Sequence, residues 1–187
     1  CVPRFEPGHR VHRGTFHNRP RRQAPAGFSA LNSRASTSFM ALVNHHMIGY
    51  FVPEFPGQTH NFFWREIGAL REVGVEVMLL STRRPPKAIE SPAWAAQATS
   101  CTTYLFPQPI RTVLADAAWA AVRPAATWRV LEALVRAQVQ GLRARLQLLG
   151  LAMMGVRMAR HLQARSVQHV HVHSCANSAH VAMFAHL

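Results

Sequence analysis

Residues 47–81 read MIGYFVPEFPGQTHNFFWREIGALREVGVEVMLLS, and the succession of patterns within them decides the fold. An apolar run, Met47–Val52, breaks at Pro53. A Pro/Gly turn follows. A helical pattern then runs from about His60 to Val73, Gly74 stops it, and a second apolar run opens at Val75. Phe63, Ile67, Leu70 and Val73 recur at helical spacing and are expected to face a sheet. Thr59 stands where its side-chain oxygen can cap the helix, and Gly74 suits a left-handed stop. Strand, loop, helix and strand make a βαβ unit, whose strands run parallel. Open parallel sheets bind ligands at the carboxyl ends of their strands. The loop Pro53–Thr59 is therefore the first candidate for function.

Outward from this unit, the second strand leads through Ser81 to Arg83-Arg84-Pro85-Pro86, which cannot continue it. A short third strand is expected at Thr102–Phe106, ended by Pro107. Residues 110–165 read as helix, broken by Pro124 into two or three pieces. The chain then enters a strand, Val167–His173 (VQHVHVH), and a last helix from about Asn177. The order βαβ-β-αα-βα predicts an α/β fold with a Rossmann-like parallel sheet. Four strands and an unfinished last helix are expected to form the front portion of a larger protein.

Composition bounds the function. The chain has 187 residues, nearly half of them hydrophobic, enough for one domain with a real core. Its formal net charge is +13, almost all from arginine. Residues 1–46 hold seven Arg against one acid, Glu6, show no period, and are expected to be a disordered basic extension. Such an arm grips any polyanion without specificity, so a basic nucleic-acid-binding module stays open as a second function class. The three cysteines have no CxxC spacing, which predicts reduced thiols rather than a disulfide scaffold or structural zinc. No uncharged run reaches the roughly 20 residues of a transmembrane span.

Two places carry chemistry. In the first loop, Gly57 lets the backbone approach a ligand without a Cβ. The helix N-terminus behind it offers free N–H groups and a positive dipole end. Gly57, Gln58, Thr59 and His60 are its candidate substrate-binding residues, although an ordinary βα turn explains the same composition. Neither GxGxxG nor GxxxxGK[ST] is present, so dinucleotide and P-loop sites are not expected. The second place is His169-Val170-His171-Val172-His173, where alternation puts three imidazoles on one face. HxH on a strand can bind a metal. The only acids after Glu90, however, are Asp116 and Glu132, and no carboxylate stands near in sequence. No metal is expected, and a metal-dependent hydrolase remains an alternative. His173, last on the strand, is the candidate catalytic residue. Ser174 and Asn177 follow at another helix start and are candidate binding residues. Cys175 is expected to be small and buried, and His180 and His186 to lie on a helix surface.

The helical segment carries Leu142, Leu146, Leu149, Met153 and Val156 on one stripe, among Arg136, Arg143, Arg145, Arg157, Arg160 and Arg165. Either the stripe packs on the sheet, or it lies on an anionic membrane surface. Both stay open from the sequence.

The two chemical places together resemble the amino-terminal domain of family 4 retaining glycosyltransferases of the GT-B fold, of the bacterial exopolysaccharide and lipopolysaccharide type. That family often carries a strand, an FP-x-x-[ST]-[EH] loop and F-x-x-x-E-I-x-x-L-x-x-x-G-x-x-V. Here these positions are Phe55, Pro56, Thr59, His60, Phe62, Glu66, Ile67, Leu70, Gly74 and Val77. HVHVHSCANSAHVAMFAHL resembles the family's later H-x-H strand-to-helix segment. The resemblance covers about residues 47–187, with His60 in place of the commoner glutamate. It implies transfer of a sugar from a UDP- or GDP-linked donor to a glycan or lipid-linked acceptor, with retention and without a cofactor. It also implies a second domain, carrying the nucleotide and an E-x7-E pair, that these residues lack; the chain alone is then expected to be inactive. His173 is similar in position to the family histidine near the transferred sugar. A cytoplasmic location, peripheral to the inner face of the membrane, is implied, with no specific nucleic-acid partner.

Overall fold

The computed structural model describes residues 47–57, 60–86 and 94–187; the basic extension at 1–46, with Gln58 and Thr59, lies outside the described residues. Four strands, β1 (Met47–Glu54), β2 (Glu76–Arg83), β3 (Thr102–Phe106) and β4 (His169–Val172), form one sheet in the order β3-β2-β1-β4. Every pairing is parallel. Parallel neighbours need crossovers, and helices supply them. Helix α1 (Asn61–Glu72) links β1 to β2, and α2 (Trp94–Cys101) precedes β3. The return to β4 passes through α3 (Ile110–Ala121), α4 (Pro124–Arg136) and α5 (Leu142–Ala164), and α6 (Asn177–His186) follows β4. The fold is α/β and Rossmann-like, as the sequence predicts.

Several local expectations need correction. Helix α1 has His60 rather than Thr59 at its N-cap position, with no side-chain cap bond. Val73 is 75% exposed, and Trp64 fills the buried stripe with Phe63 and Ile67. Helix α2 was not expected. Its sequence, WAAQATSC, buries only Ala98, so it leaves almost no amphipathic signal. Cys101, at its end, is disulfide-bonded rather than reduced. Cys175 is free but exposed rather than buried.

The sheet buries both faces because strand residues alternate. On one face Tyr50, Val52 and Leu79 pack with Phe63, Trp64 and Ile67 of α1 and Ala98 of α2. On the other, Phe51, Met78, Leu80 and Leu105 pack with Leu148, Leu151, Ala152, Met158 and Leu162 of α5 and Val181 and Phe184 of α6. Helices α5 and α6 meet at Gly155. A Cβ there would stand 2.5 Å from Phe184 Cβ, 3.0 Å from the Val181 carbonyl oxygen and 3.1 Å from the Ala185 nitrogen. At Gly150, in the same helix, a Cβ would meet nothing within 4 Å.

These two glycines give opposite predictions for one substitution. Gly155→Ala forces a methyl into backbone, and overpacking of this kind costs about 1–3 kcal/mol. Gly150→Ala is free of contact and should gain about 0.5–1 kcal/mol from helix propensity alone. Urea unfolding of the two variants, followed by far-ultraviolet circular dichroism, measures both. Equal effects would contradict the packing described.

Candidate functional site

The strand order places a switch point between β1 and β4. From β1 the chain winds outward to β2 and β3, then returns to pair β4 on the other side of β1. In open α/β sheets this divergence leaves a crevice outside the carboxyl ends of the two strands. The β1 loop and His173 both stand there.

The loop is held from below. Ser81, fully buried, accepts the Phe55 N–H at 3.1 Å, and its hydroxyl lies 3.2 Å from the Pro53 carbonyl and 3.1 Å from that of Arg83. Tyr104 donates to the Phe55 carbonyl at 2.9 Å. Arg83 pairs with Glu54 across the same strand ends. Phe55, fully buried, stacks near the His60 ring with centroids 6.0 Å apart. Residues 53–55 are thereby tied to the ends of β2 and β3.

Gly57 has a different role from the one expected. It is buried, and a Cβ on it would stand 2.7 Å from Nδ1 of His60. The close approach that glycine permits is to this imidazole, not to open ligand space. His60 is anchored by its own N–H donating to the Gly57 carbonyl at 3.0 Å. Burial lowers its pKa below 6.5, partly offset by Glu54.

His173 continues the β4 ladder by donating its backbone N–H to the Phe51 carbonyl at 3.3 Å. Its ring packs against Tyr50 and Phe63, each 4.4 Å away between centroids, and His171 at 4.2 Å. His60 touches the same Phe63 ring at 5.2 Å. His60 and His173 thus flank one aromatic side chain, as the crevice requires. Nε2 of His173 lies 3.8 Å from a Glu66 carboxylate oxygen and has no hydrogen-bond partner among the described residues. Burial, then the neighbouring His171, lowers the His173 pKa below 6.5; Glu66 opposes them. The same Glu66 oxygen accepts the Tyr50 hydroxyl at 2.8 Å. Burial and that carboxylate push Tyr50 far above its ordinary value, so it remains a donor.

The other candidates lie apart. Ser174 donates to the Cys175 carbonyl at 3.2 Å. Asn177 is exposed and accepts from Gln147 at 3.4 Å. Between them Ala176 takes φ 61° and ψ −126°, a strained backbone of the kind found at functional turns. Sequence reasoning placed His171 on the imidazole face and Glu66 in the helix motif without joining them to His173, and it missed Tyr50. The signal for Glu66 existed: it is three residues after Phe63, on the same helix face. The signal for Tyr50 did not, because it depends on the register that sets Tyr50 opposite His171.

A groove of about 840 Å³ lies elsewhere, walled by Trp119, Val130, Leu162, Val170 and Phe184. It adjoins the valine face of β4. Arg123, Gln163, Ser166 and His169 also line it, but it lies away from the carboxyl ends of β1 and β4, where the switch point falls, so the strand-end cluster is the candidate site. No family model matches the chain, and neither a curated protein nor a solved structure matches it.

The lowered histidines predict a pH dependence of stability. A histidine whose folded pKa lies below its unfolded value binds more protons when unfolded. Stability is then full above about pH 6.5, the unfolded value, and falls as the pH drops below it. The melting temperature should fall between pH 7 and pH 5, and His60→Gln with His173→Gln should flatten that fall. His161 is lowered by burial too, so some slope should persist in the double variant. A slope identical to the parent's would show that these two rings do not contribute.

Proposed function

We propose that this chain is the acceptor-side domain of a retaining glycosyltransferase of the GT-B type, using a nucleotide-linked sugar and a glycan or lipid-linked acceptor. The observation that carries the proposal is convergence. His60 and His173, the histidines of the two sequence pieces that resemble that family, are more than 100 residues apart, and both follow the carboxyl ends of the strands β1 and β4 that meet at the switch point. The two histidines flank the same Phe63.

The chemistry follows from charge. As a glycosidic bond to a nucleotide diphosphate breaks, negative charge grows on the leaving phosphate. Donors fixed in place before the reaction lower that barrier. The N-termini of α1 and α6 carry unpaired backbone N–H groups. His173, neutral near pH 7 because its pKa is lowered, offers a hydrogen bond to a sugar hydroxyl or phosphate oxygen without carrying a charge. Glu66 stands 3.8 Å from Nε2 of that ring. In the enzyme assembled with its nucleotide-binding domain, His173→Ala should cut turnover about 100-fold, the scale for one lost transition-state donor. The KM for the donor should change little. Unchanged turnover removes His173 from the mechanism.

A second function, a metal centre, is favoured by one observation. Glu66, His171 and His173 offer ligand atoms that all lie within 4.8 Å of one another. The carboxylate that the sequence did not place near HVHVH comes from α1. Two imidazoles and a carboxylate suit zinc, and Tyr50 would orient the carboxylate as an outer partner. The two uses of His173 exclude each other, since a metal-bound nitrogen cannot donate to a sugar. Metal analysis after dialysis against zinc separates them. A glycosyltransferase should retain far less than one equivalent. One equivalent, lost in His171→Ala, would replace the first proposal with the second.

A further inference from the structure

The outer surface of α5 resolves what the sequence left open. Leu142, Leu146, Leu149 and Met153 are 74%, 58%, 47% and 38% exposed. They do not pack on the sheet. The packed residues are Leu148, Leu151, Ala152, Gly155, Met158 and Leu162. At about 100° per residue, the two sets centre on nearly opposite sides of the helix. The exposed set recurs at i, i+4, i+7 and i+11, a continuous ridge roughly 16 Å long at 1.5 Å per residue. Arg143 and Arg145, both exposed, stand on either side of it. Helix α4 repeats the arrangement: Trp128, Leu131 and Val135 are 68%, 49% and 85% exposed, while Val130, Ala133 and Leu134 pack inward. Arg129 and Arg136 are its exposed cations.

Charge identifies the occupant. Residues 110–165 hold nine arginines and two acids, Asp116 and Glu132. Both acids are already paired, Asp116 with Arg160 and Glu132 with Arg136, each at 2.8 Å. A second copy of this surface would bring arginine onto arginine with no carboxylate to spare. An anionic lipid surface meets both demands, because it offers phosphates to the guanidinium groups and acyl chains to the leucines beneath them. Arginine stems lie along apolar surface while their heads reach the headgroups. Among the described residues no helix is long and apolar enough to cross a membrane, so contact is in the plane of the interface.

We infer that the outer ridge of α5, Leu142–Met153 with Arg143 and Arg145, seats on an anionic bilayer surface. This goes beyond the proposed sugar transfer and does not depend on it, since no crevice residue takes part.

The test is co-sedimentation of the full chain with vesicles of phosphatidylcholine, with and without 30% phosphatidylglycerol (roughly the anionic content that gives a strong surface potential). The extension at 1–46 is present in every sample, so its contribution is constant. Leu146→Ser with Leu149→Ser leaves the charge unchanged. It should weaken binding to the anionic vesicles about tenfold, the scale of two half-inserted leucines. Arg143→Ser with Arg145→Ser should weaken binding to the anionic vesicles by a similar factor and narrow, without abolishing, the difference between the two vesicle types, since the extension keeps its own arginines. Matching circular dichroism melts for parent and variants confirm that the fold is kept; if a serine variant melts early, Leu146→Gln alone replaces it. Anionic binding that the leucine variants leave unchanged would overturn the inference, leaving charge alone as the cause. So would equal binding to both vesicle types. A dimer in sedimentation velocity that the leucine substitutions dissociate, without vesicle binding, would assign the ridge to a second copy or another protein instead.

Discussion

The structure depends on the double pairing of β1. It is bonded to β2 on one side and β4 on the other, both parallel, and Tyr50, Phe51 and Val52 are at most 1% exposed. A strand buried on both faces and both edges must be apolar throughout, which is why its central residues form an unbroken run instead of alternating with polar ones. Its alternation still matters, because it sends Tyr50 to α1 and Phe51 to α5 and α6. One residue of slip would exchange these partners. It would also separate Tyr50 from Glu66 and His173, so the same pairing that builds the core sets the crevice. Gly49 contributes to this fit: a Cβ there would lie 2.9 Å from Leu162 Cδ2.

How much of this was legible in the sequence follows from the range of each interaction. The βαβ unit was readable because its signals are local: Met47–Val52, the Gly74 stop and the spacing of Phe63 and Ile67. Strand β3 was readable at Thr102–Phe106, bounded by Pro107. Helix α2 was not, since eight residues that are mostly small and bury one alanine have no periodic face. The candidate site was half legible. His60 and His173 could be placed at strand ends, but Glu66 and Tyr50 join His173 only through tertiary register. Gly57 was read for its missing Cβ, which was the relevant property, yet the space it leaves is filled by its own neighbour's ring. Gln58 and Thr59 lie outside the described residues, so their part in the loop rests on sequence alone.

The crevice shows how a polar site is held by an apolar scaffold. Ser81 is one of few buried polar residues among those described, and it bonds the loop backbone at Phe55. A buried hydroxyl without partners would be costly, whereas this one has three nearby backbone groups. The Tyr50–Glu66–His173 cluster is less complete, since Nε2 of His173 has no hydrogen-bond partner among the described residues. Unsatisfied groups in native proteins are uncommon and call for an explanation such as a bound ligand. A sugar hydroxyl, a phosphate oxygen or a metal ion would each satisfy that nitrogen.

Helix α5 poses a different question, because it is apolar on two opposite sides and only one can face the sheet. Hydrophobicity alone does not choose. Each side carries three leucines and a methionine: Leu142, Leu146, Leu149 and Met153 outside, and Leu148, Leu151, Leu162 and Met158 inside. The choice is made by size. Ala152 and Gly155 form a notch on one side, and there the backbone of α6 comes within about the distance of a single Cβ. The leucine ridge on the other side has no such notch and would hold α6 away. Small residues therefore select the inner face and leave the large ones outside. A stripe that the heptad-like spacing marks as core is in this way turned to the solvent side, flanked by Arg143 and Arg145. The signal that separates the two faces is the position of one glycine and one alanine, which hydropathy patterning does not weigh.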